Sequence, residues 1–192
     1  SKGDPLTSSL SPRRATEVLI VLTILVISMG GMIRIYDAGE SCPDWPTCFG
    51  TWGFDISEEE QGEWWEENPD EADSRGSGHR YSSFQIFTEW FHRLLAGAFV
   101  GPLVILNWLL IRKEAWTSSR VRGVSSLTLG LILWQGAIGW LTVKMDNENW
   151  SVAIHLGSAM AFLISLIWLW MEIRRDEDCL LYTSDAADDD VR

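Results

Sequence analysis

The sequence predicts an all-α membrane protein, a bundle of four transmembrane helices, and three observations predict it. The apolar residues gather in four long runs, the acids are segregated from them, and the bases collect at alternate ends of the runs. Averages conceal this: the chain of 192 residues is 46% hydrophobic with a mean hydropathy of +0.02 and a net charge of -12. Residues 34–83 hold thirteen acids against three bases, and residues 176–192 hold seven against one. Such a balance excludes a nucleic-acid binder, which presents a basic face to phosphate. The long apolar runs exclude an ordinary soluble domain, since they leave no aqueous face.

Taken in order, residues 1–16 form a short cytoplasmic segment. The first run, 17–33 (EVLIVLTILVISMGGMI), carries no charge after Glu17. It is not a cleaved signal peptide, because Gly-Gly-Met-Ile-Arg follows without a small-residue cleavage pattern. The second run is 94–111, the third 123–143 and the fourth 151–171. Each is close to the roughly 20 residues a bilayer core requires, and in lipid the backbone must satisfy itself, so they are helices. Together, residues 17–171 make the membrane domain. Nine bases (Lys2, Arg13, Arg14, Arg112, Lys113, Arg120, Arg122, Arg174, Arg175) lie on one side and four (Arg34, Arg75, Arg80, Lys144) on the other. The positive-inside rule places both termini in the cytoplasm and loop 34–83 outside, in a multi-pass protein of the plasma membrane embedded in lipid. Within that loop, residues 34–54 are rich in Gly, Pro, Trp and Cys and read as folded. Residues 55–73, with ten acids and no base, read as a solvated, mobile insertion in preference to a specific binding surface.

Cys42 and Cys48 fall in the stretch SCPDWPTCFG on the side assigned as external, where disulfides persist. Closing that short loop contributes roughly 2 kcal/mol. The pair reads either as a structural staple or as a redox couple; zinc lacks two further ligands. Cys179 opens residues 179–188 (CLLYTSDAAD), which look like a reading frame of a sequencing adapter. The cytoplasmic tail is accordingly 172–192, with 179–192 set aside as an expected artefact.

The ionisable residues inside the runs point to chemistry. Glu89, His92 and Arg93 open the second run and His155 lies near the start of the fourth. A charge within the bilayer costs about 2.5–3.5 kcal/mol on insertion scales, so such residues face a cavity and a partner. Glu89 and His92 are helical neighbours. The second and fourth runs are parallel, which puts the two imidazoles at similar depth, where they can grip one haem iron from opposite sides. Without Cys-x-x-Cys-His the haem is not covalently attached. Gly97, Gly101, Gly136 and Gly139 let helices approach a porphyrin. Arg93 and Arg34 read either as partners of haem propionates or as lipid-headgroup contacts.

At these motifs the sequence resembles the haem A synthase family, membrane enzymes of cytochrome oxidase assembly. The resemblance rests on Gly30-Gly31-Met32-Ile33-Arg34, Ser41-Cys42-Pro43-Asp44-Trp45-Pro46-Thr47-Cys48, Glu89-Trp90-Phe91-His92-Arg93, Gln135-Gly136-Ala137-Ile138-Gly139 with Thr142-Val143, and His155-Leu156. It implies that haem O is the substrate and that a ring methyl is oxidised to a formyl by successive hydroxylations, with haem b as electron-transfer cofactor. It also implies His92 and His155 as axial ligands, Glu89 as the acid/base or charge-stabilising group, and Cys42 and Cys48 as a staple or electron relay. The farnesyltransferase that makes haem O is the implied partner. Family members have two four-helix halves related by a pseudo-two-fold axis; this chain matches the first. It is either a half-size enzyme completed as a homodimer or a truncated form, which the adapter-like tail favours.

Two rivals fit part of the pattern. A b-type cytochrome would use His92 and His155 for transmembrane electron transfer and leave Glu89 and the cysteines idle. A quinone-linked thiol oxidase needs a second cysteine pair, which the credible sequence lacks. An assembly factor without cofactor would purify colourless.

Overall fold

The computed structural model describes residues 10–189. Lys2, counted above among the bases, and residues 190–192 of the tail lie outside them. Among the described residues the chain forms helices and no strands: α1 (Pro12–Ile35), α2 (Glu58–Glu67), a 3-10 turn (Pro69–Glu71), α3 (Ser83–Leu94), a π-helical segment (Leu95–Val100), α4 (Gly101–Lys113), α5 (Ser119–Lys144) and α6 (Asn149–Asp189). Four helices are long and apolar enough to cross a membrane: α1, the continuous unit Ser83–Lys113 made of α3, the π segment and α4, then α5 and α6. The protein is an integral membrane protein of all-α class.

Three of the spanning helices begin outside their apolar runs, at a polar cap. Ser11 Oγ accepts from Arg14 N at 3.3 Å ahead of Pro12, and Ser118 Oγ accepts from Val121 N at 3.3 Å. Ser82 and Gln85 form a reciprocal capping box at the start of α3. Caps satisfy amides that the first helical turn leaves unpaired, so helices outrun the apolar stretch. The π segment has a local cause. Pro102 lacks an N–H and its ring crowds the carbonyl four residues back, which opens the preceding turn; Gly101 N–H accordingly donates to Ala96, five residues back.

Around the bundle, α1 packs against α6 and against the α3–α4 unit, and α5 packs against α4 and α6. The second and fourth spanning helices are therefore diagonal, facing each other across the interior. Lipid tails compete with apolar side chains on equal terms, so packing and interhelical hydrogen bonds hold such a bundle. Leu19, Val100, Val104, Phe162 and Leu166 form a mid-bundle core, and Ile111, Val121, Val124, Leu169 and Ile173 form a second at the end away from the long loop. Asn107 Nδ2 donates to Thr16 Oγ1 at 2.9 Å, and Trp170 Nε1 donates to Glu17 at 3.0 Å, tying α4 and α6 to α1.

The long connection between α1 and α3 folds into a cap on its end of the bundle. Its core is Phe49, Ile56, Trp65, Tyr81 and Ile86 around the Cys42–Cys48 disulfide. Buried Gln61 bonds the Tyr81 backbone on both sides, with Nε2 to its carbonyl at 3.0 Å and its N–H to Oε1 at 2.8 Å. The acidic insertion read as solvated thus folds. Gln61 and Trp65, one helical turn apart, bury one face of α2, while Ser57 and Glu60 cap it and the remaining acids face water.

Candidate functional site

A gap in the packing lies between the mid-bundle core and the loop cap. Residues 24–37 of α1 and its exit, 90–99, 129–137 and 152–161 include no buried residue. A packed helix buries one side chain per turn or so, and here all four spanning helices fail to do so at one level. His92 and His155 both fall within it, on the diagonal helices, each half-buried. The π segment overlaps the same level, as π-bulges often do at functional sites.

The seats of the two rings differ. His92 Nδ1 lies 3.1 Å from the Val26 carbonyl, which can only accept, so Nδ1 carries the ring proton and Nε2 keeps its lone pair. Its Cε1 lies over Gly30, where an added Cβ would sit 3.6 Å away. His155 lies against Gly139, where a Cβ would come within 3.1 Å of Cε1, and its Nδ1 is 3.2 Å from Gln135 Nε2. Cβ atoms placed at Gly97 and Gly136 would meet nothing within 4 Å. The donor set fits a haem: two imidazoles on opposed helices, at a level where none of the four spanning helices buries a residue.

Glu89 is 4% exposed and fully engaged. One carboxylate oxygen accepts from Cys42 N at 2.9 Å and Ser41 Oγ at 3.0 Å, and the other meets Arg93 at 2.6 Å. Arg93 in turn donates to the carbonyls of Cys42, Asp44 and Thr47. Its guanidinium therefore turns into the disulfide loop, with its side chain 13% exposed. Arg34 is exposed and donates to Asn149 at 2.6 Å, joining the end of α1 to the start of α6. Nothing in the sequence marks the Val26 carbonyl or Ser158, while Gly30 and Ser41 stood within the family motifs without a role of their own. A backbone carbonyl has no sequence signal, whereas Gln135 stood in a recognised motif with no role attached.

The loop cap is clasped to the α5–α6 turn. Asn147, in the left-handed region at φ 52°, donates to the Gly39 carbonyl, and Lys144 pairs with Glu71 at 2.7 Å. Glu40 is pushed above the ordinary carboxylate range by burial and by Asp73 and Asp146, against the pull of Ser74 and Arg75. Asp146 is pushed up by burial, Asp73 and Glu148, against Lys144. A raised folded pKa contributes stability that is present in acid and lost as pH rises through it. Proteolysis within residues 36–82 should therefore be slower at about pH 5 than at about pH 8, and the opposite order would refute the clasp.

The COX15-CtaA family model, described as cytochrome oxidase assembly protein, matches residues 13–191. The chain belongs to the COX15-CtaA family. It is 32% identical to a heme A synthase of Shewanella oneidensis, over 82% of this chain and 44% of that one. A heme A synthase of Maricaulis maris is 29% identical over 88% of this chain and 53% of its own length. Heme A synthase COX15 of Saccharomyces cerevisiae is 26% identical over 92% and 40%. The chain thus spans about half the length of the curated relatives it matches. No solved structure matches it.

Proposed function

We propose that this COX15-CtaA chain binds haem at the loop end of its bundle and acts in haem A biosynthesis, where a ring methyl of haem O is oxidised to a formyl. The observation that carries the reading is the pair of diagonal histidines at the level where no spanning helix buries a residue. His92 and His155 would be the axial ligands, and a bound haem b would supply reversible one-electron chemistry at its iron.

The chain's own residues do the rest. Val26 orients His92, and the loop cap closes the end of the site against water. Glu89, with Arg93, holds that cap over the histidines, and it is the one buried carboxylate on the helix that carries His92. In this reading residues 17–171 are the working domain and loop 34–83 faces the outside, with both termini in the cytoplasm. The farnesyltransferase that supplies haem O is the expected partner.

A second reading has one observation in its favour. Both oxygens of Glu89 are tied to the loop cap, one by Ser41 and Cys42 and the other by Arg93, which suits a b-type cytochrome that only passes electrons. Incubating membranes carrying the chain with haem O, then extracting pigments, separates the two. Haem A above the level of membranes lacking the chain supports the synthase. Its absence from a chain that carries a bis-histidine spectrum supports the cytochrome.

A further inference from the structure

The partners of the two histidines are chemically opposite. His92 Nδ1 faces the Val26 carbonyl, an obligatory acceptor. His155 Nδ1 faces the Gln135 amide nitrogen, an obligatory donor, at 3.2 Å. The orientation of that carboxamide is set by the His155 backbone carbonyl, which only accepts, and the Ser158 hydroxyl meets its other end. Its Nε2 donates to the His155 backbone carbonyl at 2.9 Å, and its Oε1 accepts from the Ser158 hydroxyl. Reversing it would set Oε1 against the His155 carbonyl oxygen. His155 Nδ1 is therefore an acceptor, and the proton of the neutral ring sits on Nε2. A protonated nitrogen has no lone pair for a metal, and Nδ1 is covered by Gln135. His92 is ready to bind iron as it stands; His155 is not.

We propose that Gln135 is a positioning residue that makes His155 the yielding ligand of the pair. His155 binds iron through Nε2 only after its ring proton has moved to Nδ1 and the Gln135 carboxamide has turned to accept it through Oε1. Ser158 then accepts from Nε2 of Gln135 and donates to the His155 carbonyl, already 3.1 Å from its Oγ. One proton leaves Nε2 and one arrives at Nδ1, so no net charge enters the membrane. The exchange keeps three hydrogen bonds but sets Oε1 beside the His155 carbonyl oxygen, a repulsion about as large as one hydrogen bond is worth, roughly tenfold in the bound fraction. A haem that is taken up as substrate and given up as product suits a site with one fixed ligand and one that lets go.

The inference rests on haem binding between these histidines, and the test separates the two. The detergent-purified chain is loaded with haem b, reduced, and mixed with carbon monoxide, which binds at a rate set by how often His155 leaves the iron. Gln135→Met removes the donor, and Gln135→Glu replaces it with an acceptor that favours a proton on Nδ1. Both are expected to slow carbon monoxide binding relative to the parent, by about tenfold and by more than that respectively. His155→Ala should bind fastest and marks the open-site limit. An unchanged rate in Gln135→Met overturns the proposal even where Gln135→Glu fails to fold. So does a rate raised to that of His155→Ala, which would make Gln135 a support for ligation. A parent that takes up no haem at all refutes the functional reading, and this inference with it.

Discussion

Replacing His92 by alanine should abolish the paired-imidazole absorption of the haem-loaded chain and weaken haem retention by more than about 100-fold. Loss of a mere outer-shell partner of a metal ligand costs 10–100-fold, and losing the ligand itself exceeds that. The geometry makes His92 the anchor. Its Nδ1 is held at 3.1 Å by a main-chain carbonyl of α1 that cannot rotate away, and its ring rests on Gly30. His155→Ala should abolish the same bis-histidine spectrum, because one imidazole cannot supply it. The expected difference lies in retention: the chain keeps haem through His92 in the second variant and loses it in the first. Pigment-to-protein ratios after gel filtration, read beside the spectra, decide this. An unchanged spectrum in both variants would remove the ligand assignment.

Much of this was legible from residue order. Four runs of apolar residues became four spanning helices, and the two cysteines six positions apart became a disulfide. Both are local facts: length against bilayer thickness, and reach of a short loop. The helix ends were less legible, because caps at Ser11, Ser82 and Ser118 lie outside the apolar stretches that announce the spans. Arg93 was less legible: it read as a partner of a haem propionate or of a lipid headgroup, but the guanidinium meets three carbonyls of a loop about 50 residues earlier in the chain. Main-chain carbonyls leave no trace in composition. The acidic insertion erred in the same way. Ten acids read as solvated, and yet Gln61 and Trp65, spaced one turn apart, were enough to seat α2.

Arg93→Leu is the substitution expected to cost most in stability. It strips the paired cation from the buried Glu89 carboxylate and, in the same step, the donors from the carbonyls of Cys42, Asp44 and Thr47. Breaking a buried pair by removing one partner costs about 3–5 kcal/mol, because the other charge stays buried and uncompensated. Arg93→Lys should recover little, since one ammonium cannot span the contacts that the planar fork reaches. Glu89→Leu combined with Arg93→Leu should be less damaging than the two single losses added together, because no lone charge remains. Unfolding of the disulfide-intact chain in detergent measures all three. A loss below about 1 kcal/mol for Arg93→Leu would put the pair in the class of surface ion pairs and dismiss it as the strut of the cap. Glu89→Gln then separates structure from chemistry. Its amide oxygen can still accept from Cys42 N–H and Ser41, but its NH2 meets the Arg93 guanidinium donor against donor, so the cap should loosen. The variant reports on chemistry only where the bis-histidine spectrum persists. Loss of haem A formation in that variant would assign Glu89 a proton-handling role beyond holding the loop, and full retention would confine it to docking.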